Sequence, residues 1–266
     1  RHAAETTGIP YMLSFRGTDF TLETFADELA ANRLAAEGAK ICTFNNEEAR
    51  RLGASLFAIR CPTFAIPNSF DWSEFSKLPV ALPSRTHPIL GMCANLWRVA
   101  GTDQLLTAFE QLYPEVQTLL LVGEFWKQEA LYFQKRLSSL ACRDHIVITG
   151  WVPHESVMGY LRSCDVLVFP SVADGSPNKV LEGLASGVPV IAAAVGGIRD
   201  MITDGVDGFL LSDPHPNAIV EKVQYVLQHQ SLASECAHRA QDRIAREFTH
   251  EREYAQWKDC YRILLQ

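Results

Sequence analysis

The sequence lacks several signals that would name a chemistry at once. It has no Walker A pattern, no G-x-G-x-x-G and no C-x-x-C. Triphosphate hydrolysis and dinucleotide redox chemistry therefore lose their usual signals. No two histidines stand at zinc-binding helical spacing, and no two aspartates are separated by a single residue. Basic residues are in deficit, with 24 Lys and Arg against 31 Asp and Glu. Phosphate-backbone binding needs clustered cations, so nucleic acid is not the expected partner. The longest apolar run, from Gly187 to Ile198, is interrupted by Pro189 and falls short of the roughly 20 residues of a membrane span. No charged-then-apolar leader opens the chain, and its first residue is Arg1. That start reads as a processed, trimmed or fragmentary chain. The seven cysteines are odd in number and scattered, which fits reduced thiols in a cytoplasmic protein better than a disulfide framework.

What is present is a regular alternation. A stretch rich in Pro, Asn and Ser between residues 67 and 88 divides the chain, and residues 77–88 read as a linker. Beyond it, apolar runs such as Thr118–Gly123, Asp165–Ser171 and Val188–Val195 read as strands buried on both faces. Helical patterns separate them, for example Asp103–Leu112, Glu155–Arg162 and Asn217–Leu227. Such alternation implies right-handed crossovers and a doubly wound parallel sheet. Ligands of such sheets bind at the carboxyl ends of the strands. The first 66 residues offer two strands, at Tyr11–Phe15 and Lys40–Phe44, and helical material over Thr21–Glu37. That is a poor independent core, so this region reads as part of a domain.

The chemistry concentrates in "VADGSPNKVLEGLASGVPV", residues 172–190. The segment leaves a strand, crosses a polar loop and enters a helix. Ser176 is placed as N-cap and Pro177 at the first helical position. The amides of Asn178 and Lys179 then lack intrahelical partners at the positive end of the helix dipole, which suits a phosphate. Asp174 precedes the helix, and Glu182 lies inside it on the stripe of Asn178. One carboxylate could accept from the vicinal hydroxyls of a ribose and the other from a sugar beyond the phosphates. The plainer alternative is an N-terminal acid and a solvent-facing Glu.

Residues 174–190 resemble the signature E/D-G-x-P-N-x-x-x-E-x-x-A-x-G-x-P-V of the retaining glycosyltransferases of family 4. Further matches follow the family's order. "AIPNSFDWSEF" is similar to its I-P-N-G-V-D-x-x-x-F, and "ITGWV" to the strand and turn against which the nucleotide base stacks. "VGGIRDMITDGVDGFLL" is similar to GG-x-x-E-x-I-x-D-G-x-x-G-x-L, and residues 248–265 resemble the final helix that crosses back. The resemblance implies a GT-B fold of two Rossmann-like units. The partial acceptor-side unit would occupy residues 1–76, the nucleotide-sugar-binding unit 89–245, and the returning helix 246–266. It implies transfer of a sugar from a nucleoside-diphosphate sugar to an acceptor hydroxyl, with retention and without a metal or cofactor. Asp174 would orient the donor sugar and Glu182 the ribose. Gly175, Ser176, Asn178, Lys179, Gly196 and Gly197 would cradle the diphosphate, and Asn95, Trp151 and Val152 would border the donor. The acceptor would be a glycan, a lipid-linked or a small molecule, and peripheral membrane association would be compatible with it.

Two positions depart from the family pattern. The basic pair after the first strand of the second unit reads Asn95-Leu96-Trp97-Arg98-Val99-Ala100-Gly101, so the family's Lys is Ala100. Arg98 is the cation left there, either replacing part of the lost charge or lying at the surface. In "FRGTD" the family's His is Arg16, which either meets an anionic substrate or is a surface residue; Gly17 beside it serves backbone geometry. His154 is expected to cap or border the next helix. Two other functions stay open on sequence: a lapsed nucleotide-sugar-binding scaffold and an epimerase of the same fold.

Overall fold

The structure, a computed structural model, describes residues 2–16, 26–71 and 88–266. The N-terminal part carries α1 (His2–Thr7), β1 (Met12–Phe15), α2 (Ala26–Gly38), β2 (Ile41–Phe44), α3 (Glu47–Leu56) and β3 (Thr63–Ala65). The three strands pair in parallel in the order β1-β2-β3. Strand β3 and helix α3 go beyond the sequence expectation. A strand of three residues is too short to show periodicity, but α3 had a start signal: Asn46 followed by two glutamates. Asn46 is indeed its N-cap, accepting from the Ala49 amide at 2.7 Å.

The larger part carries β4 (Ile89–Cys93), α4 (Thr102–Leu112), β5 (Thr118–Val122), α5 (Ala130–Ser139) and β6 (Ile146–Ile148). There follow α6 (His154–Leu161), β7 (Val166–Phe169), α7 (Asn178–Ser186), β8 (Val190–Ala193), α8 (Ile198–Met201) and β9 (Phe209–Leu211). Its strands form one parallel sheet, ordered β6-β5-β4-β7-β8-β9. Strand sides alternate between two cores, as the two-residue side-chain period requires. Leu90, Met92, Leu119, Leu121, Val166 and Val168 pack with Leu105, Phe109, Ile219 and Val223 on one face. Ile89, Leu120, Val122, Leu167 and Phe169 pack with Met158, Leu161, Val180, Leu181 and Leu184 on the other. Both faces being covered explains the continuous apolar runs of the central strands. Strand order reverses between β4 and β7, so their carboxyl ends open the crevice where such folds hold ligands.

Three helices close the chain: α9 (Pro216–Gln228), α10 (Gln230–Glu247) and α11 (His250–Leu265). Helix α10 also exceeds the sequence expectation. Its buried stripe of Ala233, Cys236, Ala237, Ala240 and Ile244 has helical spacing, but mostly small residues carry it. Helix α11 returns to the N-terminal sheet, where Trp257, Cys260 and Leu264 pack against Ile41 and Ile66. Tyr254 and Tyr261 of the same helix are exposed. None of the seven cysteines forms a disulfide. No helix among the described residues is long and apolar enough to cross a membrane. Gly17 and residues 77–87 of the expected linker lie outside the described residues.

Candidate active site

The loop from Ser171 to Pro177 leaves β7 at the point where strand order reverses. Two contacts press the β4 loop against it. The Val172 amide donates to Val99 O at 2.8 Å, and a Cβ on Gly101 would stand 1.9 Å from Pro170 O. Position 101 has φ +80, so glycine is required there twice over. The β4 loop therefore forms one wall of the crevice, and the start of α7 forms the other.

Helix α7 begins at Asn178, with Pro177 rather than Ser176 as its cap residue and no side-chain cap. The expected Ser176 N-cap is thus corrected. Extended geometry at Pro177, with ψ 115, carries the chain into the helix without a hydroxyl bridge. The Ser176 hydroxyl is buried and has no protein partner. Pro177 O takes the Val180 and Leu181 amides, while those of Asn178 and Lys179 have no intrahelical acceptor. A polar hydroxyl out of water beside bare amides is the arrangement that an anion would complete.

Glu182 is 9% exposed, which removes the solvent-facing alternative. Its neighbours Val180, Leu181 and Leu184 fill the core, and that fixes the rotation of α7. Oε1 of Glu182 lies 2.9 Å from His154 Nε2. Burial raises its carboxyl above the usual range, and the His154 contact opposes the rise. The Cys93 thiol at the end of β4 is pushed up to about 12 by burial and then by the Glu182 charge, with Lys179 pulling the other way. Both charges of α7 are thus felt at the end of β4.

Lys179 is not the solvated helix lysine that a position near a helix start suggests. Its Nζ lies 2.9 Å from Asp174 Oδ2, which also accepts from Ser171 Oγ at 3.4 Å. Asp174 therefore does stand beside the α7 start, as its spacing predicts. Gly196 and Gly197 lie against the same loop. A Cβ on Gly196 would meet Asp174 O at 1.9 Å, and one on Gly197 would meet Gly175 O at 2.5 Å. The Gly197 amide donates to Gly175 O at 2.6 Å. These glycines let one loop seat on the other.

Residues from the N-terminal part complete the site, and only Asn68 was visible beforehand, inside the I-P-N motif. Asn46 Nδ2 donates to Gly175 O at 3.0 Å. Asn68 Nδ2 donates to Ser176 O at 3.0 Å and to Asn178 Oδ1 at 2.8 Å. The Glu47 amide at the start of α3 donates to Asp200 Oδ2 at 2.8 Å. These bonds tie the α7 entry loop and α8 to the other unit.

The remaining candidates differ in exposure and partners. Asn95 is exposed, Trp151 is 73% exposed, and Val152 packs on the core below. Arg98 is paired with Glu129 at 3.0 Å and lies over the Tyr132 ring. Ala100 is buried among apolar side chains. Arg16 is exposed, with its guanidinium 6.0 Å from the Trp257 ring centre.

Comparison with known proteins gives the family and the fold. Residues 87–229, more than half of the chain, match the family model described as "Glycosyl transferases group 1". A trehalose synthase of Pyrococcus horikoshii is 37% identical over 141 residues, which cover 51% of this chain and 33% of that protein. A D-inositol 3-phosphate glycosyltransferase of Xylanimonas cellulosilytica is 30% identical over 135 residues, 49% of this chain and 32% of that one. The chain thus spans well under two thirds of these relatives' length. Among solved structures, HepE of Anabaena in complex with UDP superposes with TM-score 0.87 at 20% identity, covering 98% of this chain and 74% of that one. Sucrose-phosphate synthase of Thermosynechococcus elongatus does so with TM-score 0.86 at 22% identity, covering 99% and 70%. At such identities the likeness establishes the fold, which is the GT-B arrangement of paired Rossmann-like units.

Proposed function

Since the chain belongs to the group 1 glycosyl transferases, we propose that it holds a nucleoside-diphosphate sugar at the start of α7 and serves retaining, metal-independent sugar transfer to an acceptor hydroxyl. The observation that carries this reading is a conjunction at one strand-end crevice. A buried carboxylate, Glu182, lies one turn beyond two bare amides and an orphaned buried hydroxyl. Glu182 would accept from the ribose hydroxyls. Asp174 would take a hydroxyl of the donor sugar on the oxygen that Lys179 and Ser171 leave open.

The charge balance assigns Lys179 a leading part. The bond from the anomeric carbon to the diphosphate breaks, and negative charge grows on the departing oxygens. Donors fixed beforehand at that charge are the main catalytic device available. A helix N-terminus contributes about 0.3–1 kcal/mol, up to about 2 when partly buried. A full cation 4 Å away contributes on the order of 4 kcal/mol near a protein surface. Amides alone therefore do not replace a missing cation. Ala100 is apolar and buried, and Arg98 is engaged by Glu129. Lys179 is the cation already directed at the α7 entry loop. Asp174 holds it beside that loop, and the ammonium has further N–H donors with which to meet a phosphate.

HepE has been solved with UDP and with UDP-glucose, so UDP-glucose is the first donor to test. A thermal-shift screen of UDP-, GDP- and ADP-sugars, followed by a transfer assay, checks the proposal. A raised melting temperature with one donor, abolished by Glu182→Ala, is expected. No shift with any donor, or a shift indifferent to Glu182, would reject it.

A further inference from the structure

Building on that reading, we infer that His154 is a positioning residue for the donor: it holds Glu182 in the orientation that receives the ribose. His154 is the first residue of α6, directly after Pro153. Its helix packs on α7 through Val157, Met158 and Leu161, which share a core with Val180, Leu181 and Leu184. That packing brings Nε2 to 2.9 Å from Glu182 Oε1. The two side chains differ sharply in exposure, 62% for His154 against 12% for Glu182. A mostly exposed imidazole thus reaches over a carboxylate that is otherwise shut in.

The chemistry of a ribose grip explains why such a contact is useful. A glutamate has three rotatable torsions, and holding it in one arrangement costs rotamer freedom. A donor on Oε1 fixes the carboxylate before the ligand arrives. Oε2 is then left to accept from the vicinal hydroxyls. With Nε2 carrying the proton, His154 donates and the carboxylate keeps the acceptor form that two hydroxyl donors need. The contact also counters the burial that favours the protonated acid. A protonated Glu182 would offer a hydrogen where the ribose offers hydrogens too. His154 itself touches no reacting atom.

The test is a cycle between this side chain and the ribose hydroxyls. UDP, GDP and ADP are titrated calorimetrically against the protein, and the tightest is compared with its 2′,3′-dideoxy form. In the wild type, removing the hydroxyls should weaken binding at least tenfold. His154→Ala should weaken the ribonucleotide by about tenfold, the scale of one charge-assisted hydrogen bond, and leave the dideoxy form unchanged. His154→Gln, whose amide can still donate, should recover part of the loss. In turnover, His154→Ala should raise the donor KM far more than it lowers kcat. Equal weakening of both nucleotides by His154→Ala, or no weakening of either, would overturn the inference, provided melting curves show the variant folded. Wild-type protein that binds none of the three nucleotides would instead overturn the donor-site reading itself. Wild-type binding that ignores the hydroxyls would overturn the assignment of the ribose to Glu182.

Discussion

The Lys179 ammonium and the Asp174 carboxylate form an ion pair across the start of α7, with side chains only 18% and 21% exposed. Pairs at open surfaces contribute little, because water and salt screen them. This one is mostly shut in, five residues apart along the chain, with a strand end on one side and bare helix amides on the other. It keeps a cation in place at a site whose family lysine position is occupied by a core alanine.

Lys179→Met should retain the apolar stem and lose the charge. Nucleoside diphosphate binding should weaken by about tenfold or more, from the loss of a charged hydrogen bond of about 1.5–3 kcal/mol. The corresponding monophosphate should lose less, since it presents fewer phosphate oxygens. Calorimetric titration of the pair decides the matter. The same loss for both nucleotides would argue against a diphosphate role.

Gly196→Ala should be costly. The residue has φ +48, and an added Cβ would meet Asp174 O at 1.9 Å. Left-handed geometry alone costs about 1–2 kcal/mol for an ordinary residue, and the clash is with backbone that cannot swing aside. We expect a loss of at least about 2 kcal/mol, visible as a drop of several degrees in melting temperature. Gly205→Ala is the control, since its φ is +71 but nothing lies within 4 Å of the added atom. Similar losses at both positions would mean that the loop contact is unimportant.

Asn46 does two jobs that substitution can separate. Its Oδ1 caps α3, and its Nδ2 holds Gly175 O. Asn46→Ser keeps a capping oxygen and Asn46→Ala removes it, so alanine should be less stable than serine by about 1 kcal/mol. Both lose the link to the α7 entry loop and should weaken nucleotide binding alike. Chemical denaturation measures the first effect and titration the second. Wild-type affinity in the serine variant would show that the cross-unit bond does not position the loop.

Glu182 makes stability depend on pH with a definite sign. Its native carboxyl is raised above the ordinary value of 4.5, chiefly by burial. The folded chain therefore keeps this proton to higher pH than the unfolded chain does. The associated stability is complete below 4.5 and is lost as pH rises through the native value. Glu182→Gln cannot ionise and escapes that loss. Urea melts from below 4.5 to neutrality should show the glutamine variant gaining on the wild type as pH rises. A difference that stays constant, or moves the other way, would mean the carboxylate is better satisfied than its surroundings suggest. Nucleotide binding by the wild type should fall toward the acid end, where the acceptor is neutralised.

Much of this architecture is legible in the sequence. Continuous apolar runs ending in Gly or Pro-Ser marked β5 and β7, and the stripe of Val180, Leu181 and Leu184 marked α7. Those patterns reflect local rules: side-chain period, helix periodicity and the conformations open to glycine and proline. The sequence places the α7 start one residue early, because Ser-Pro satisfies two capping rules and tertiary packing follows neither. Helix α10 and strand β3 escaped, the one for its small buried residues and the other for its length.

The site divided along the same line. The sequence alone determined which residues had the right chemistry near the α7 entry: Asp174, Ser176, Lys179 and Glu182 lie within one stretch of chain, where spacing speaks for proximity. Tertiary structure decided their partners. His154 on Glu182, Asn46 on Gly175 and Asn68 on Ser176 join residues 28, 129 and 108 positions apart. No local pattern encodes such meetings. They arise because a parallel sheet sends successive loops to one end, where residues remote in the chain become neighbours.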